Sequence, residues 1–91
     1  MRSNWLNEFM SEYADITLRR LRHFIRYLSR KTKVQLERGG RHVDVVRYPY
    51  WERPFPLPVK HGVVNKHIVK KLMDQLIKEE LTSQIEIDKK L

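Results

Sequence analysis

The 91-residue chain has no cysteine and only three glycines. The first absence excludes a disulfide framework, a thiolate zinc site and a thiol nucleophile. No apolar run approaches the roughly 18–20 residues that a bilayer span needs. The opening stretch Met1-Arg2-Ser3-Asn4-Trp5 lacks the apolar core and small-residue cleavage site of a signal peptide, so a soluble, cytoplasmic protein with no membrane partner is expected. The four histidines are scattered without ligand spacing, so neither a metal nor a cofactor is expected.

Acidic residues are scarce as well. Nineteen Lys and Arg stand against 11 Asp and Glu, a formal net charge of +8. The imbalance is concentrated between Ile16 and Lys78, where sixteen basic residues meet four acids (Glu37, Asp44, Glu52, Asp74), a net +12. The flanks 1–15 and 79–91 carry a net −4. A single domain of this size with a basic middle points to nucleic acid or to an acidic protein partner. An apolar fraction of 41% is enough for a small core and too high for a disordered tail.

Periodicity divides the chain. Leu18, Leu21, Phe24, Ile25 and Leu28 lay an apolar stripe along one face of a helix, with Arg19, Arg20, Arg22 and Arg26 mostly opposite. Asp15 is expected to cap this helix. Trp5, Leu6, Phe9, Met10 and Tyr13 have helical spacing too, so residues 1–15 read as an N-terminal helical extension with a bend near Ala14–Asp15. After Arg30 the period becomes two. Strands are expected near 32–38, 41–48 and 55–60, the first two joined by a hairpin at Gly39-Gly40. In that register Val34, Leu36, Val43 and Val45 face the core, while His42 and Asp44 face away. Pro56 and Pro58 make the third strand an edge, because proline cannot donate to a sheet ladder. A second helix starts at an Asn65 cap and buries Ile68, Val69, Leu72, Met73, Leu76 and Ile77. Residues 81–91 read as a tail, open between further helix, a short strand and a frayed end.

The expected fold class is α+β. It is an α-β-β-β-α two-layer sandwich over 16–80, with both helices on one face of a three-stranded antiparallel sheet, the arrangement of double-stranded-RNA-binding domains. The other sheet face is left open.

Leu36-Glu37-Arg38-Gly39-Gly40-Arg41-His42, then Phe55-Pro56-Leu57-Pro58-Val59-Lys60-His61 and the helix from Asn65 to Ile77, resemble the HicA-type toxins of bacterial toxin–antitoxin pairs. Two departures stand out: Arg41 occupies a position usually held by serine, and Pro-x-x-His replaces Pro-x-His. The resemblance implies an mRNA endonuclease with a double-stranded-RNA-binding-like fold, inhibited by a HicB-type antitoxin, and places the family's functional histidine at His42. The chemistry is available to such a residue. A neutral imidazole can take the proton of a ribose 2′-hydroxyl, which attacks the adjacent phosphodiester, and Asp44 on the same strand face can orient it. Arg41, Lys60, His61, Lys66 and Lys70 are the expected RNA contacts, and His61 can also serve as a proton donor. Tyr48, Tyr50 and Trp51 can stack unpaired bases, cover the sheet edge or meet an antitoxin. His23 and His67, on helices without partner spacing, read as structural. Two other classes stay open, a non-catalytic RNA-binding module and a protein that docks an acidic partner.

Overall fold

A computed structural model describes residues 13–38 and 44–91. The elements are β1 (Ile16–Thr17), α1 (Leu18–Ser29), β2 (Gln35–Arg38), β3 (Asp44–Arg47), β4 (Phe55–Leu57), β5 (Val59–Lys60), β6 (Val63–Val64), α2 (Lys66–Lys78) and α3 (Gln84–Lys90). The fold is α+β as expected, but two further strands, β5 and β6, stand between β4 and α2, and the strands form two small antiparallel sheets of three each among the described residues. The Gly39-Gly40 turn, Arg41, His42, Val43 and the helix expected over residues 1–12 lie outside the described residues; Tyr13–Asp15 have no regular secondary structure.

α1 forms because its stripe is regular. Leu21, Phe24, Ile25 and Leu28 are all buried. Its N-cap is Thr17, whose hydroxyl accepts the N–H of Arg20 at 3.1 Å. Asp15, the expected cap, serves the other helix: its carboxylate accepts the N–H of Lys66 at 2.7 Å. Asn65 caps α2 as expected, accepting the N–H of His67 at 2.8 Å. The reason is topological. β1 pairs with β6, Ile16 opposite Val64, so the residue before β1 arrives beside the start of α2. α2 buries Val69, Leu72, Met73 and Leu76 against the same core.

The larger sheet has the order β2-β3-β4, with Leu36 opposite Val46 and Val46 opposite Phe55. On the covered face lie buried Val34, Val46 and Leu57 with the half-buried Leu36 and Phe55. Gln35, Glu37, Val45, Arg47 and Pro56 occupy the other face, and none of them is buried.

This corrects the expected phase of β3. Val45 and Val46 are adjacent valines, so either alternation gives an apolar inner row. The partner strand decides, because Val34 and Leu36 share a face and Leu36 pairs with Val46. Asp44 therefore points to the core side, 6% exposed, with Arg38 Nε 3.9 Å from its carboxylate.

The expected third strand, 55–60, is two strands in two sheets. β4 ends at Leu57, Pro58 interrupts the ladder, and β5 pairs with β6 in the small sheet β1-β6-β5. His61 and Gly62 form the two-residue loop of the β5–β6 hairpin, with φ of 55° and 75°. Both central residues at positive φ are the mark of a type I′ turn. The Gly62 carbonyl then accepts the N–H of Leu18 at 2.9 Å, tying the hairpin to the start of α1.

α2 ends in a Schellman motif. Leu81 N–H reaches Leu76 O at 2.9 Å, and Glu80 N–H reaches Ile77 O at 2.9 Å, with Glu80 at φ 61°. The turn sends the chain back along the domain. The segment left open between helix, strand and tail is helical: Ser83 caps α3, and Ile87 is buried. No helix among the described residues is long and apolar enough to cross a membrane.

Candidate nucleic-acid interface

Cations can grip phosphate only where they are exposed and not already neutralised. Several basic residues are engaged. Arg47 is paired with Glu37 at 2.9 Å, Lys70 with Asp74 at 2.9 Å, and Lys31 with Glu86. Arg20 donates to the carbonyl oxygen of Leu91 at 3.1 and 2.6 Å. The described part of the open sheet face is consequently weak in positive charge, since its Arg47 is matched by Glu37.

A row of unmatched charge lies along α1. Arg19, Arg22, Arg26 and Arg30 follow the i, i+3, i+7, i+11 spacing of one helix face, and all four are exposed. None forms an ion pair with a described residue. At about 1.5 Å per residue the row is roughly 16 Å long. Arg22 and Arg26 also wall an open groove of about 450 Å³ whose far side is Gln35 and Leu36 of edge strand β2. Guanidinium groups with fixed forks beside a sheet edge suit phosphate oxygens better than a diffuse lysine surface does. The sequence showed these arginines opposite the apolar stripe. It did not show that their neighbours lack carboxylates.

The residues expected as RNA contacts separate into two groups. Lys60 and His61 stand together at the β5–β6 hairpin, exposed, on a groove of about 770 Å³ shared with Asp15, Val59, Asn65 and Ile68. Lys66 begins α2 immediately beyond and is exposed; its backbone N–H is taken by Asp15. That carboxylate already meets the positive end of the helix. Lys70 lies a turn further along α2, held by Asp74. Arg41 and the expected catalytic His42 lie outside the described residues. Asp44, expected to orient His42 on the open face, lies on the covered face. His23 and His67 are both exposed and so take no part in the core.

A second polar cluster fastens α3 to α1. Glu86 accepts from Lys31, from the Tyr27 hydroxyl at 2.5 Å and from Thr82 at 2.7 Å. These donors, Lys31 first and Tyr27 next, hold the Glu86 carboxyl down to about 2. The ammonium groups of Lys31 and Lys90 sit 5.1 and 5.0 Å from the Tyr27 ring centroid. These contacts tie α3 to the end of α1, and the cluster reads as a clasp between helices.

The chain matches no family model, and no curated protein and no solved structure shows detectable similarity to it.

Proposed function

We propose that this chain is an RNA-binding domain of the HicA kind, which grips RNA through the α1 arginine row and cleaves it at His42. The observation that carries the binding half is the row Arg19, Arg22, Arg26 and Arg30, exposed and without carboxylate partners among the described residues. The sheet β2-β3-β4 that follows α1, with no buried residue on its open face among those described, supports a double-stranded-RNA-binding-like arrangement, to which β5 and β6 are an addition before α2. Cleavage rests on the HicA-like Gly40-Arg41-His42 motif. In this reading the His42 imidazole takes the 2′-hydroxyl proton, and the 2′-oxygen attacks phosphorus. The 5′-oxygen then leaves with a proton supplied by an acid, a role open to His61, and the products are a 2′,3′-cyclic phosphate and a 5′-hydroxyl end. A HicB-type antitoxin would block the protein by covering the basic surface.

A second reading, binding without cleavage, is favoured by one observation: Asp44 faces the core and does not share the open sheet face. Single-turnover cleavage of RNA by the parent and by His42→Ala at saturating protein separates the two. Loss of an acid–base group typically costs about 100- to 10,000-fold in rate with RNA affinity retained. A parent that binds RNA and never cuts it favours the module.

A further inference from the structure

The geometry points to a nucleobase-stacking site on the loop between β3 and β4, built on Tyr50 and separate from the arginine row. This inference rests on the RNA-binding reading above and adds the part of the nucleic acid that the loop takes, an unpaired base.

The loop is built to present a ring. Tyr48-Pro49-Tyr50-Trp51 is a β-turn closed by the Trp51 N–H on the Tyr48 carbonyl at 2.9 Å, with proline at the position whose φ it presets. Tyr48 is half-buried and holds both neighbours edge-on. Its ring centroid is 5.3 Å from that of Tyr50 and 5.7 Å from that of Trp51. Tyr50 is therefore braced by a neighbouring ring and is still 76% exposed, the most exposed large apolar side chain among the described residues. An aromatic ring held this way loses little rotamer freedom on binding, which is what makes a stacking platform effective.

Beside it lies a groove of about 390 Å³, within the range of small-ligand sites. Tyr50, Trp51 and Phe55 supply apolar walls. Arg53 makes no ion pair with a described residue and can stack on a base or meet its phosphate. Glu52 and the amide oxygen of the half-buried Gln75, whose nitrogen donates to Glu79 at 3.4 Å, supply acceptors for an exocyclic amine of a base edge. The chain's net +8 favours a polyanion over an acidic-poor protein surface as the source of the flat ligand.

The test is fluorescence anisotropy of the full chain with a short single-stranded RNA and with an abasic strand of equal length and charge, for the parent, Tyr50→Ala, Tyr50→Phe and Arg22→Ala/Arg26→Ala. Stacking predicts that the parent prefers the base-bearing strand by roughly 5- to 150-fold for each base stacked. Tyr50→Ala should lose that preference and keep its affinity for the abasic strand, Tyr50→Phe should keep both, and the double arginine variant should weaken on both strands alike. Equal parent affinity for the two strands, or an unchanged preference in Tyr50→Ala, overturns the stacking site, leaves RNA binding standing and assigns the aromatic loop to a protein contact. Absence of binding to either strand overturns the RNA reading and this inference together.

Discussion

The carboxylate of Asp15 accepts the backbone N–H of Lys66 at 2.7 Å, joining positions 51 residues apart. It supplements Asn65, which takes the N–H of His67, so two of the unpaired amides that open α2 are satisfied by different segments of the chain. The bond also anchors the chain just before β1, a strand of two residues that is otherwise held by its pairing with β6 and the burial of Ile16.

Asp15→Ala should destabilise the fold by about 0.5–2 kcal/mol, the range of lost helix caps. Asp15→Asn should recover much of that, because an amide oxygen accepts the same bond. Urea denaturation of the three proteins measures it. An alanine variant as stable as the parent would mean that Asn65 alone caps α2.

Glu80→Gly should stabilise the protein. Glu80 closes the Schellman motif of α2 at φ 61°, a conformation that costs an L-residue roughly 1–2 kcal/mol and costs glycine little. Part of that gain is offset by the greater freedom of glycine in the unfolded chain. A net gain of about 1 kcal/mol, read as a raised melting temperature, is expected; Glu80→Ala should give none.

Acid should loosen the α1–α3 clasp through Glu86. Its folded carboxyl, held to about 2 by Lys31, Tyr27 and Thr82, lies below the usual value of 4.5. A depressed acid contributes stability that is complete above the unfolded value and is lost as pH falls through the folded one. The stability difference between the parent and Glu86→Gln should accordingly be constant near neutrality and shrink between about pH 4.5 and 2. A difference that does not change across that window would show that the clasp carries no charge-dependent stability.

Trp51→Phe should be close to neutral in stability. The indole N–H is buried and has no hydrogen-bond partner among the described residues, so the substitution removes an unsatisfied donor and keeps most of the ring. A loss above about 2 kcal/mol would show that the N–H is satisfied in solution.

Legibility followed the range of the interaction. The stripes Leu21–Leu28 and Val69–Leu76 could be read directly, because a helix face is set by neighbours three and four apart. The prolines mark an edge for the same local reason, but they do not show that Pro58 divides the segment between β4 and β5 in two sheets. The phase of β3 was not, since Val45 and Val46 are interchangeable until β2 chooses between them. Asp15 looked like the cap of the helix that follows it, and only the β1–β6 pairing reveals the other helix within reach. Strands as short as β1, β5 and β6 carry no period at all. The candidate site divides along the same line. Arg22 and Arg47 are alike in sequence, yet Arg47 is neutralised from a neighbouring strand by Glu37 and Arg22 is not. The expected contacts Lys60, His61 and Lys66 are exposed, while Lys70 is held by Asp74 one turn away, a pairing that the i, i+4 spacing could have suggested.

The most direct measurement is the salt dependence of RNA affinity for the parent and for Arg22→Ala/Arg26→Ala. Each phosphate neutralised on a single strand contributes about 0.7 to the slope of log affinity against log salt. If the α1 row is the phosphate grip, the parent affinity falls steeply with salt, and the double variant binds more weakly with a slope smaller by about 1.4. Identical slopes and affinities for the two proteins would contradict it, and would move the RNA surface away from α1.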